Sequence, residues 1–579
     1  MSIFDADVDD AVIEKFKAMS HDELLNALEV CKESRPELAL VIFLEIHRRL
    51  FKGKQQKEAG NYLYKLIEYC LERDLASKKE LQLLRPLLKS NFSSLIFDGQ
   101  ISSVLEISKS LVILYSKLGR DIEFVEATLE RCAYLAQDNQ FSAVIREASE
   151  AFGVAKVIES FELAGQCALI ISIAHFREND IDSSDLLDKH LHAAIEFADI
   201  ALELFENSGN TLMVETALAT IAKNYAYLQN HASALECIER SIGLHENLRE
   251  TKDFSLKVFL EYRCLQGKLL RKVGRLEEAK AILETAFEIT KSFFPWGKPD
   301  PKTKRVTHDP ERLSIVVPSL RMELSWTLVE LDNLESAWEE FTQTSRFFYG
   351  YHTPKTIEAA YGLAYLLWKR KRYKVSLRVC NEILEGRINI YPWSGEGIFS
   401  EEGDDRILEL IDKNSRPLKE GEGRYKSMES LRRDEMAIWW IVISQTALNY
   451  QALNQWQESL DVLEKVDEFV GYIPSVEEAA QVEYLRANAL TKLQKLDEAR
   501  SKLEEIISYA PEDDFSSGLA NALWLRAEKF GSSDPKLDRK RAIEIWSHAG
   551  TDNFKTAWRE APDLATRLSA RDGLGVVEG

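Results

Sequence analysis

Chemistry needs particular side chains within reach of one another, and the densest ligand-like group along this chain is Asp188, His190, His192 and Glu196. Side chains two positions apart on a helix point about 200° away from each other, so His190 and His192 cannot readily ligate one metal from one helix. The group reads as a solvated helix face. Seven cysteines stand at 31, 70, 132, 167, 237, 264 and 380, the nearest two 27 positions apart (264 minus 237). Without a C-x-x-C pair, and with mostly aliphatic neighbours, they read as reduced, packed small hydrophobes. A phosphate-cradling loop needs Gly-rich backbone leading into a helix, with a Lys placed for the phosphates. Gly395 with Gly397 and Gly421 with Gly423 supply only the first two glycines of such a loop, and loop flexibility is the preferred reading. Neither G-x-S-x-G nor H-E-x-x-H occurs. Carboxylate pairs such as Glu277 with Glu278 and Glu504 with Glu505 belong to exposed helix faces and imply no acid-base work without a cleft. The expectation is no catalytic residue, no cofactor and no metal site: the chain is not read as an enzyme.

Two basic clusters stand out, Lys369, Arg370, Lys371, Arg372, Lys374 and Arg378 across an expected turn, and Lys302, Lys304 and Arg305 after a Pro-rich segment. Either could contact an acidic partner or nucleic acid, with ordinary solvated turns as the plainer alternative. The whole chain carries 95 acidic against 74 basic residues, a formal net charge of -21, which repels phosphate backbones and anionic lipid. Nucleic acid and membrane are therefore not expected partners. The first ten residues hold four Asp and no Lys or Arg, the reverse of a secretory or mitochondrial leader. The longest apolar runs, at 167–174 and 436–444, fall short of the ~20 residues that span a bilayer. A cytoplasmic location is expected.

The elements that would position these residues show a period. At 579 residues the chain exceeds one ordinary core, and 45% hydrophobic with 29% charged residues and 14 Pro suits a folded, helix-rich array. In six places a small residue is followed twelve positions later by Ala or Ser: Ala222 and Ala234, Gly267 and Ala279, Ser325 and Ala337, Ala364 and Ser376, Ala447 and Ser459, Ala487 and Ala499. A large residue always follows the first by three (Tyr225, Leu270, Leu328, Leu367, Tyr450, Leu490). A ring or Leu precedes the second by three (His231, Leu276, Leu334, Tyr373, Trp456, Leu496), and an apolar residue follows it by four (Ile238, Leu283, Phe341, Cys380, Leu463, Leu503). Two antiparallel helices joined by a tight turn approach closely only where both carry small side chains, and large residues one turn away fill the flanks.

This pattern resembles the tetratricopeptide repeat, a helix, turn and helix of about 34 residues. The best units are 214–244, 260–289 and 480–511, the last closing on Pro511. The resemblance implies an all-α fold, an α-solenoid of antiparallel helix pairs. Expected divisions are an N-terminal helical cap or small helical domain at 1–100, degenerate repeats at 101–205, the repeat array at 206–530 with inserted loops at 291–318 and 386–430, and a C-terminal helical cap with a flexible tail at 531–579. Helix starts are expected at Ser20 with Glu23, Thr353 with Pro354, Ser475 with Glu478, and Asp534 with Pro535.

In such repeats the first helices line a concave face, which implies ligand-facing positions at Lys223, Lys268, Arg271, Met322, Trp326, Tyr361, Tyr365, Trp368, Tyr484, Asn488 and Lys492, with Ala219, Ser444 and Leu448 beside them. Rings flanked by cations bury much area at small entropic cost, as peptide grooves require. The same rings could instead pack against the next repeat or the inserted loops. The Lys and Asn arrangement that grips a carboxyl-terminal carboxylate is not matched in the middle repeats. The leading expectation is a scaffold or adaptor for a protein or peptide partner. Alternatives are a peptide-sensing regulator acting through its N-terminal helical segment, and a regulatory subunit of an enzyme complex.

Overall fold

The computed structural model describes residues 15–34, 36–52, 62, 65, 66, 69, 101–117, 119–179, 187–228, 230–249, 251, 254–293, 316–347, 354–385, 408, 433–468, 476–509, 517–530 and 534–549. Every regular element among the described residues is helical. The chain divides into two compact units, Met1–Ser255 and Leu256–Gly579.

In the first unit the helices are α1 (His21–Ser34), α2 (Pro36–Lys52), α3 (Ile101–Lys117), α4 (Asp121–Gln137), α5 (Phe141–Val157), α6 (Phe161–Asn179), α7 (Leu187–Ser208), α8 (Thr211–Tyr227) and α9 (His231–Asn247). The second unit holds α10 (Leu256–Lys272), α11 (Leu276–Phe293), α12 (Val316–Glu330), α13 (Leu334–Phe347), α14 (Pro354–Lys369), α15 (Tyr373–Leu384), α16 (Arg433–Ala452), α17 (Trp456–Glu464), α18 (Val476–Lys492), α19 (Leu496–Tyr509), α20 (Ser517–Lys529) and α21 (Pro535–Ala549). At α1 the capping box forms as the sequence implies: the Ser20 amide donates to Glu23 at 2.6 Å and the Glu23 amide to the Ser20 hydroxyl at 3.3 Å. Pro535 opens α21 with Asp534 accepting from the Leu537 amide at 3.0 Å. Thr353 and Ser475 lie outside the described residues.

The hairpin turns close on the backbone of the large residue of each repeat. The amide just before the second helix donates back to that residue's carbonyl: Arg275 to Leu270, Arg372 to Leu367, Gln455 to Tyr450 and Lys495 to Leu490, each at 2.9 Å. Closing the turn this way puts the preceding residue in the left-handed region, at Gly274, Lys371, Asn454 and Gln494.

The small residues of all six pairs are buried. A Cβ on Gly267 would lie 2.5 Å from Leu283 Cγ, so the backbone of α10 reaches α11 there only because the position is glycine. In α14 and α15 the contact is polar, the Ser376 hydroxyl donating to the Ala364 carbonyl at 2.7 Å. Three further hairpins make the same contact with other residues. Cys132 of α4 meets the Val144 carbonyl of α5 at 3.9 Å. Ser172 of α6 donates to the Ala194 carbonyl of α7 at 2.6 Å, across 22 positions instead of twelve. In α20 and α21 the pair is Arg526 with Asp538, bidentate at 2.8 and 2.7 Å.

In the first unit α1 packs on α2 and consecutive helices pack on one another from α3 to α9, as they do from α10 to α21 in the second, and first helices also touch first helices: α4, α6 and α8 in the first unit, and α10, α12, α14, α16, α18 and α20 in the second. First helices thus form a layer of their own. The segment expected as a loop at 291–318 is shorter at both ends, because α11 continues to Phe293 and α12 begins at Val316. Residues 294–315, with Lys302, Lys304 and Arg305, lie outside the described residues. So do 386–430 apart from position 408, and the expected tail from 550 onward.

Candidate binding surface

α12 and α14 are neighbouring first helices, and their ring-bearing faces meet. Tyr361, Tyr365 and Trp368 stand at i, i+4 and i+7 of α14, one face of a helix. Trp326 of α12 lies 5.7 Å from Tyr361 and 5.9 Å from Tyr365, between ring centroids. Tyr361 is 6.2 Å from Tyr365, and Tyr365 stacks on Trp368 at 5.8 Å. All four rings are partly exposed, and the spacings fall in the range where aromatic pairs attract beyond their buried area.

The support beneath the rings is specific. Phe341 of α13 presents its ring edge-on to Trp326 at 5.0 Å. Gly362 lets α14 come against that ring, since a Cβ there would sit 2.3 Å from Phe341 Cε1. From behind, buried Asn449 of α16 donates to the Ser376 hydroxyl at 2.9 Å, which in turn donates to the Ala364 carbonyl. A chain of hydrogen bonds therefore fixes α14 against α15 and α16. Burial raises the Tyr361 phenol above its ordinary value, with Tyr365 and then Cys380 adding to the shift, so the group stays a neutral O–H. At the end of α14, Lys369 places its ammonium 5.9 Å from the Tyr365 ring centre.

Other expected positions do not join this surface. Met322 is fully buried, which removes it from the ligand-facing set: it shares the face of Trp326, one turn earlier, but α12 is covered nearly all round along that stretch. Arg271 bridges α10 to α12, 3.0 Å from Glu323 and 2.7 Å from Glu330, and is committed to packing neighbouring repeats. Asn488 of α18 donates to Gln451 of α16 at 2.8 Å, and Gln451 donates to the Leu485 carbonyl at 2.8 Å, so that pair is also an inter-repeat tie. Tyr484 is half-buried, and burial, then Glu528, raises its phenol. Lys492 is exposed and lies 5.7 Å from the Trp456 ring centre. Lys268 is exposed on α10, and Lys223 is exposed on α8 in the other unit. Ala219 and Ser444 are buried.

Three of the buried cysteines have no reactive setting. Burial pushes the thiols of Cys132, Cys167 and Cys380 up to about 12, where the nucleophilic thiolate is scarce. Among the described residues no group of three or more His, Cys, Asp or Glu side chains could hold a metal ion. His190 pairs instead with His175 of α6, Nδ1 to Nδ1 at 3.0 Å, a contact that sequence spacing did not signal.

Paired antiparallel helices, small residues at the crossing, and first helices in a layer together define the architecture. These are tetratricopeptide-like helical hairpins. No protein-family model matches the chain, and no curated protein matches it. Among solved structures, the apo form of the quorum sensor NprR from B. thuringiensis is similar at 16% identity and a TM-score of 0.42, covering 79% of this chain and 99% of that one. A tetratricopeptide repeat protein from Parabacteroides merdae is similar at 15% identity and a TM-score of 0.33, covering 58% of this chain and 94% of its own. IFIT1, in a structure with m7Gppp-AAAA, is similar at 12% identity and a TM-score of 0.39, covering 97% of this chain and 96% of that one. At this degree of likeness none of them transfers a ligand to the tetratricopeptide-like array described here.

Proposed function

We propose that the chain is a non-catalytic binding scaffold whose partner, a protein or peptide segment, lies across the rings of α12 and α14. The observation that carries this reading is the contiguous, partly exposed surface of Trp326, Tyr361, Tyr365 and Trp368, contributed by two neighbouring first helices. Rigid rings hold few rotamers, so covering them with a partner gains apolar burial at little entropic cost. The test compares proteins retained by the immobilised full chain with those retained by Trp368→Ala and Tyr365→Ala variants shown to melt normally. Specific retained proteins should be lost from both variants; recovery unchanged by either substitution would rule the surface out.

A further inference from the structure

We propose that this surface takes an acidic peptide, whose apolar or proline-rich anchor lies on the rings of α14 and whose carboxylates follow it over the turn into α15. The inference rests on the ring surface being the binding site. It adds the chemistry of what binds there.

Ring stripe and basic turn are continuous. Trp368 is followed at once by Lys369, whose ammonium already sits 5.9 Å from the Tyr365 ring centre. Beyond it Lys369, Arg370, Lys371 and Lys374 are all exposed. Within the cluster Arg370 approaches Glu335 at 3.8 Å and Arg378 pairs with Glu382 at 2.9 Å. Lys371 and Lys374 have no carboxylate partner among the described residues. A local positive patch on a chain of formal net charge -21 selects for negative charge at one place on the surface.

Geometry sets the order of the peptide's parts. From Tyr361 to Trp368 the helix rises about 10 Å, at ~1.5 Å per residue. An extended or polyproline segment advances ~3.1 Å per residue, so the stripe accommodates about three residues before the peptide reaches the lysines. The rings also favour peptide over nucleic acid. A base stacks on a free ring face, but Tyr365 already faces Trp368 at an interplanar angle of 29° and meets Trp326 at 60°. Rings set at such mixed angles suit proline or aliphatic side chains laid across them.

The experiment is selection of random short peptides on the full chain, run in parallel on Trp368→Ala and on Lys371→Glu/Lys374→Glu, with enriched peptides then titrated by fluorescence anisotropy. Expected is enrichment of Asp and Glu beside Pro or aromatic residues, with affinity falling about tenfold on charge reversal and falling again with added salt. Enriched peptides with no acidic excess, binding the charge-reversed chain equally, overturn the acidic partner while leaving the ring surface in place. A pool that enriches equally on Trp368→Ala, or no enrichment on the full chain, overturns the ring surface and this inference with it. Oligouridylate binding more tightly than the best peptide, with the same sensitivity to charge reversal, overturns the peptide in favour of nucleic acid.

Discussion

Lys371 illustrates a conflict between local stability and surface charge. A non-glycine side chain in the left-handed region costs about 1 kcal/mol, because its Cβ crowds the carbonyl oxygen that follows. Lys371→Gly is therefore expected to stabilise the chain by up to about 1 kcal/mol, read as a higher urea midpoint at unchanged slope, while weakening any acidic peptide. A lower midpoint would mean that the lysine side chain itself supports the turn. His175 makes a second residue-scale prediction. It stacks on Phe197 and faces His190, and burial first, with His190 second, lowers it from 6.5 to about 4. The folded chain binds that proton more weakly than the unfolded one, so the contribution to stability is complete above pH ~6.5 and is lost as pH falls toward ~4. Melting temperature should drop over that window, and less so in His175→Gln. Equal slopes in the two proteins would exclude His175 as the cause. His190 was visible in the sequence as one of a charged group, but its partner sits 15 positions away on another helix, and no spacing rule for one helix reaches it.

At the scale of the elements, the twelve-residue pairs were readable because the tight turn fixes which positions of two helices can face each other. Where the turn is lengthened, as between Ser172 and Ala194, the contact survives and the spacing does not. Where polar chemistry replaces small size, as at Arg526 with Asp538, the spacing survives and the residue type does not. Both kinds of change hid the crossing contact, though not the helices, from a pattern built on small residues. The grouping of Trp326, Tyr361, Tyr365 and Trp368 on one surface was likewise expected, since facing is a matter of helical period. Its supports, Phe341 under Trp326 and Gly362 beside Phe341, depend on how closely α13 and α14 approach. Arg271 was expected at a ligand and is found in an ion pair, with its side chain 10% exposed and that of Glu323 11% exposed. Removing one partner leaves a buried charge uncompensated, so Arg271→Ala should cost about 3 kcal/mol. The measurement is the urea midpoint; an unchanged midpoint would return Arg271 to the set of groups available to a ligand.

Within each unit, among the described residues from α3 onward, each hairpin is held mainly by its neighbours in sequence, which makes stability there a sum of local terms. Disturbance should therefore stay local. Ala499 is fully buried at the crossing of α18 and α19, and a leucine there has no room without moving one helix from the other. Overpacking of this kind costs typically 1–3 kcal/mol, about the size of one helix–helix interface. Followed by hydrogen exchange, Ala499→Leu should accelerate amides in α18 and α19, and to a smaller degree in α16, α17, α20 and α21. Amides of α4 to α9, in the other compact unit, should keep their protection, because their own pairs, Ala222 with Ala234 among them, remain intact. Exchange rising evenly along the chain would show cooperative unfolding across both units. The additive picture would then fail, and effects of substitutions at the ring surface could no longer be read as local to α12 and α14.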